Sequence, residues 1–363
     1  MNFVKKITIL FLILTKTNLF SEYAYLVNDT SNDLSVFNIS DPNNVMTVGM
    51  PIQTGGMAPY AAALSGDYAY VINSASNDLS IFNISDPSNV MTVGMPIQTG
   101  GMTPYWLAIS GDYAYVVNFS SNDLSVFNIS DPNNVTTVGM PIPTGSGPVF
   151  ITISGDYAYI ALSGDNAISI FNISDPNNVM TVGMPIPTGG TNPTPIAISG
   201  NYAYVGNFSS NDLSILNISD PNNVMTVGMP IPTGGTNPIA IAISGDYAYV
   251  PNVNSNQLSI FNISNPNNVV TVGIPIATGN GPYDIEISGD YAYVPNYYDD
   301  DLSIFNISNP NNVMTVGMPI PSGGMGALMI AIPSPPAPPP PPPPPSLQCE
   351  KSLTQKTKQC LLY

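Results

Sequence analysis

The chain of 363 residues contains no histidine, and its six basic residues are all lysines, at Lys5, Lys6, Lys16, Lys351, Lys356 and Lys358. The span from residue 22 to residue 332 therefore has no cationic side chain, whereas all but one of the 23 acidic residues lie between Glu22 and Asp301. Nucleic-acid binding requires Lys or Arg to neutralise phosphates, so that class is excluded, as is adhesion to an anionic membrane by charge attraction. Without His, and with both cysteines near the C-terminus at Cys349 and Cys360, the usual general base, the thiol nucleophile and His/Cys sites for zinc or copper are missing. The chemistry that survives uses carboxylates, as glycoside hydrolases do. No metal or organic cofactor is expected, except calcium at one acidic loop described below.

Long hydrophobic runs are missing too, apart from Ile7 to Leu14 behind Lys5 and Lys6. That pattern, with Ser21 as a small residue at a cleavage point, predicts a secretory signal peptide over 1–21 and not a membrane span. The expected location is secreted or extracytoplasmic, in a periplasm or at a cell surface.

What the chain has is repetition. Tyr-Ala-Tyr starts at Tyr23, Tyr68, Tyr113, Tyr157, Tyr202, Tyr247 and Tyr291, at intervals of 44 or 45 residues. Each unit reads as four strands separated by turns; in the third these are Trp106 to Ser110, Tyr113 to Asn118, Leu124 to Ser130 and Thr136 to Ile142. Four antiparallel strands at this period predict an all-β, closed, seven-bladed propeller of four-stranded antiparallel blades over 22–332. The fourth strand carries a proline in every unit, as at Pro141, and belongs on the outer edge because proline cannot donate to a ladder. The chain enters with a second strand and ends with a spare first strand, Leu328 to Ile332, so the two ends complete one blade and close the ring.

Leu124-Ser125-Val126-Phe127-Asn128 followed by Ile129-Ser130-Asp131-Pro132, behind Gly111-Asp112-Tyr113-Ala114-Tyr115-Val116, resembles the LVIVD repeat of secreted and surface β-propellers. The resemblance spans about residues 22 to 332, with one systematic departure: the acidic residue that closes the family motif is Asn here, as at Asn38, Asn128 and Asn306. It implies a propeller outside the cytoplasm and brings no catalytic residues with it.

Departures from the repeat mark the candidate site. Tyr283-Asp284-Ile285-Glu286-Ile287 puts acids where Ile239-Ala240-Ile241-Ala242-Ile243 has alanines, and Asp284 and Glu286, two apart, share a strand face. Tyr60, Tyr105, Trp106, Phe150 and Tyr283 cluster at the starts of inner strands, where they form either an aromatic rim for a sugar or peptide or part of the core. Asp299, Asp300 and Asp301 replace a loop that is otherwise mostly Ser and Asn, and such consecutive carboxylates suit calcium or a solvated loop. The near-identity of the units argues against an asymmetric active site. The expectation is thus a non-enzyme, a binding or display module for an extracellular protein or glycan. A carboxylate-based glycoside-active enzyme and a surface-coat protein are the alternatives. A proline-rich linker (333–346) and a short tail (347–363) follow, in which Cys349 and Cys360 are candidates for a disulfide.

Overall fold

The computed structural model describes residues 22–333. The expected signal peptide, nearly all of the proline-rich linker, and the tail with Cys349 and Cys360 lie outside these residues. Within them the chain is all β and forms seven antiparallel sheets, each with the same strand order. In the third blade the strands run outward from Pro104–Ser110 through Tyr113–Asn118 and Asp123–Asn128 to the outer edge. The hairpin register is continuous from Tyr113↔Asn128 to Asn118↔Asp123.

The fourth strand differs from expectation. Instead of one strand over Thr136 to Ile142 there are two short pieces, Thr136–Thr137 and Ile142–Pro143, and both pair with Asp123–Asn128. Between them Gly139 takes φ 67°, a left-handed conformation that no ladder accommodates, and Pro141 has no N–H to give. Met140, in that break, is 86 % exposed. Proline does mark the outer edge, but as a breaker within it.

The second and third strands of a blade are covered on both faces, so Ala114, Tyr115, Val116 and Val117 are all buried. Their partners come from the adjacent blades: Tyr70 and Ile72 pack with Ala114, Val116 and Phe127, and Tyr115 and Val117 pack with Ala158, Ile160 and Phe171. The recurrent Asn-Ile-Ser is an Asx turn, in which Asn128 Oδ1 accepts the Ser130 amide at 3.0 Å and its hydroxyl at 2.7 Å.

Blades are also stapled by polar contacts. An asparagine before six of the seven third strands sits at positive φ, as Asn122 does at 60°. Asn tolerates that conformation, and Asn122 Oδ1 then accepts the Gly147 amide of the next blade at 2.7 Å. Asn32, Asn77, Asn166, Asn211 and Asn256 repeat this bond to the following blade. At the junction of the ends, Ala327–Ala331 pairs antiparallel with Tyr23–Asn28 as the missing inner strand, and Asp300 accepts the Gly326 amide at 2.6 Å in place of asparagine. The ring is closed by the same contacts that hold every other pair of blades.

Candidate functional site at the channel mouth

The inner strands converge, and the second residue of each inner segment meets at one opening: Tyr60, Tyr105, Val149, Thr194, Ile239, Tyr283 and Leu328. The next position adds Trp106, Phe150, Asp284 and Met329. Together they line a small opening. Every aromatic candidate from the sequence lies here with Asp284, while Glu286 sits two residues further along the same strand. Val149, Thr194, Ile239, Leu328 and Met329 were missed; they occupy the same repeat positions, and aligning the units would have found them.

The aromatic rings meet in pairs, one stacked and two tilted. Tyr60 and Tyr105 have centroids 4.1 Å apart, Trp106 and Phe150 lie 4.6 Å apart at 30°, and Tyr283 meets Tyr297 at 5.3 Å. Tyr297 in turn donates its hydroxyl to Asp29 Oδ2 at 3.1 Å, tying the rim to the first blade.

Asp284 is 7 % exposed. Its Oδ2 accepts the Ile330 amide at 3.0 Å, an inner-strand edge N–H of the neighbouring blade. The position-equivalent Met329 does the same one blade on, its Sδ accepting the Ala62 amide at 3.3 Å. Burial pushes the Asp284 carboxyl up to about 7, against the lowering effect of the Ile330 and Ile285 amides. Burial, and secondarily the Asp284 charge, pushes Glu286 up to about 8. Glu286 is half-buried by accessible area, yet protein surrounds it on all sides, and it is this surrounding low-polarity matter that raises its pKa.

Comparison with known proteins completes the picture. The LVIVD repeat matches residues 150–184, 192–229, 238–274 and 282–318. The chain thus carries four LVIVD repeats within a seven-bladed β-propeller. In this propeller residues 15–147 match a second family, the lactonase 7-bladed β-propeller. Among solved structures, a candidate 6-phosphogluconolactonase of Bacteroides fragilis is similar over 87 % of this chain and 99 % of its own at 17 % identity, TM-score 0.74. A candidate 6-phosphogluconolactonase of Bacteroides uniformis covers 85 % and 98 % at 16 % identity, TM-score 0.75. The periplasmic gluconolactonase of Pseudomonas aeruginosa covers 86 % and 99 % at 17 % identity, TM-score 0.71. At these identities the likeness is one of fold. A search of curated proteins finds no match.

The expectation that the propeller is not an enzyme is corrected by the lactonase match and by the lactonase names of these neighbours. The physical reason is visible at the channel. The blades are alike at their turns and outer edges, but the second and third inner positions differ from blade to blade, and that is where asymmetry is needed.

The acidic loop has a structural account. Asp299 accepts the Asn280 amide at 2.7 Å and its Nδ2 at 2.8 Å, as Ser121 accepts the Met102 amide at 2.9 Å in another blade. Asp300 is the staple to Gly326, and Asp301 accepts from Asn296 Nδ2 at 2.7 Å. The three carboxylates thus serve three different partners, and no cluster of three or more metal-ligating side chains occurs among the described residues. No helix among them is long and apolar enough to cross a membrane.

Proposed function

We propose that the channel mouth binds and hydrolyses a neutral cyclic ester of the sugar-lactone class. The observation that carries this reading is Asp284, a buried carboxyl near neutral pKa facing an aromatic pocket, in a chain that matches a lactonase propeller. A lactone presents an activated carbonyl and an apolar ring face. Aromatic walls suit the ring face, and the carbonyl needs only a base, an acid and an oxyanion donor.

Asp284, ionised, takes a proton from a water whose oxygen attacks the carbonyl carbon. Tyr105, beside the Tyr60 hydroxyl, directs its O–H as a hydrogen bond to the developing oxyanion. As the ring C–O bond breaks, protonated Glu286 gives its proton to the leaving alkoxide, and a hydroxy acid results. Two carboxyls whose surroundings set them near 7 and 8 divide base and acid roles in this way. A phosphorylated lactone finds no counter-charge, because residues 22–332 contain no Lys, Arg or His.

An extracytoplasmic location is part of the proposal, supported by the Lys5-Lys6 and Ile7 to Leu14 pattern and compatible with the periplasmic neighbour. Hydrolysis of D-glucono-1,5-lactone and of its 6-phosphate, each corrected for the spontaneous rate, tests the site. The neutral lactone is expected to be turned over, with Asp284→Asn inactive. Absence of turnover, or preference for the phosphorylated substrate, would falsify the reading.

A further inference from the structure

Away from the channel, differences between blades gather on one stretch of the outer rim. The turn that leads into the outer edge begins with an exposed aspartate in the first five blades, Asp41, Asp86, Asp131, Asp175 and Asp220. The sixth and seventh blades, packed against each other, have Asn265 and Asn309 there, both exposed. The turn itself does not demand the exchange. Asp131 Oδ1 accepts the Asn133 amide at 3.0 Å, and Asn265 and Asn309 accept the Asn267 and Asn311 amides at 3.1 and 3.2 Å in the same way. Only the charge is lost. Residues 264–277 and 308–321 therefore hold no ionisable side chain, whereas each of the other five outer edges holds a carboxylate.

The same stretch is apolar and open to solvent. Ile274 and Met318, at the breaks of the two outer strands, are each 86 % exposed, and Val270 and Met314 are about half-exposed. In the sixth blade both exposed positions are β-branched, Val270 and Ile274, where the first blade has Met46 and Met50. Covering Val or Ile costs less rotamer freedom than covering Met. Beside Ile274 a groove of about 170 Å³ lies between Thr233-Gly234 of the fifth blade and Thr271 to Pro275, lined also by Ser259 and Ile260. The equivalent groove beside Met50 holds about 50 Å³. The outer pieces Val270–Thr271 and Ile276–Ala277 are two residues long, too short to extend a ladder, so contact here is made by side chains.

We propose that the rims of the sixth and seventh blades form a two-fold interface with a second copy of this chain, Ile274 of each copy entering the groove of the other. Charge selects the partner. Residues 22–332 have no cationic side chain, so two rings repel wherever their carboxylates face each other, and these two edges are where the rim lacks them. A cationic partner would be drawn to the five charged edges instead. A two-fold contact uses one patch on both copies, which suits an exposed aliphatic side chain beside an apolar groove. The size fits too: the two edges hold about 28 residues, against about 20–30 on each side of a standard interface.

Sedimentation equilibrium of the full chain in about 150 mM salt tests this, with reductant present so that Cys349 and Cys360 cannot link chains. A monomer–dimer equilibrium is expected, with Kd below about 100 μM. Asn265→Asp together with Asn309→Asp restores what the other blades carry, so the fold is kept, which circular dichroism checks. This variant should dimerise at least about tenfold more weakly. Ile274→Ser should lose a similar factor, while Met140→Ser, on the rim of the third blade, should lose none. A chain monomeric at about 100 μM, an assembly larger than two, a dimer that tolerates both aspartates, or an equal loss from Met140→Ser overturns the interface. Lactone turnover plays no part in these readings.

Discussion

Burial among aromatic rings leaves Asp284 with a carboxyl that keeps its proton up to about 7, whereas in the unfolded chain it loses it near its ordinary value of 3.8. Between those two values the unfolded state is ionised and the folded state is not, so stability falls as pH rises through that window. Asp284→Asn removes the slope while keeping an oxygen for the Ile330 amide. Thermal melts should show the variant more stable than the parent by about 1–3 kcal/mol near pH 8 and equal to it near pH 4. A second residue-scale test comes from the asparagine that ends the second strand in six of the seven blades. Asn118 is buried and donates from Nδ2 to Asp123 at 2.7 Å and to Ser125 at 2.8 Å. In the fourth blade Leu162 and Ala167 stand together in those two places, so the pair has been exchanged for apolar residues as a unit. Removing one member leaves a buried polar group without its partner, and removing both does not. Asn118→Leu should therefore cost about 2–3 kcal/mol, and adding Asp123→Ala should restore most of it, as measured by urea unfolding.

At the scale of the element, the inner strand Ala327–Ala331 is the one on which the ring depends, because it alone joins sequence-distant ends. A chain ending at Met325 leaves the edge of Tyr23–Asn28 unpaired and removes the amide that Asp300 holds. Size-exclusion chromatography should show it associating, and a melt should lose its single cooperative step; a monomer with the parent's melt would show that the shared blade is dispensable. The strands themselves were legible in the residues: the repeated segments, Tyr113 to Asn118 among them, and the outer proline at Pro141 each point to the element found. The break in the outer strand was not, because the sign of φ at Gly139 depends on where the chain must turn and not on the identity of a glycine. The contacts of the Asp299 to Asp301 loop were not legible for a related reason. Asp301 meets Asn296 across its own hairpin, Asp299 meets Asn280 of the same blade and Asp300 meets Gly326 of the next, which a linear reading of three adjacent carboxylates does not reveal.

For the whole molecule, closure is what converts seven nearly equal units into one unequal site. Each blade contributes a residue to the channel mouth, and because Tyr60, Tyr105, Val149, Thr194, Ile239, Tyr283 and Leu328 differ, the opening is asymmetric although the turns and outer edges repeat. The aromatic and acidic departures in the inner strands were visible in the sequence as a cluster. The non-enzyme expectation is what had to be corrected, since similarity counted over whole units outweighs variation at two positions per unit. The absence of cationic side chains from residues 22–332 bears on the ring as a whole as well: it sets the sign of the field at the channel. The central claim is that Asp284 works as a base in that field. The most direct test is the pH dependence of kcat/KM for D-glucono-1,5-lactone with the full chain, beside Asp284→Asn under the same conditions. The account predicts a bell-shaped profile that rises through an apparent pKa of about 7 and falls again above about 8, where Glu286 has lost the proton it must give, with the variant at the spontaneous rate throughout. A variant as active as the parent would contradict it.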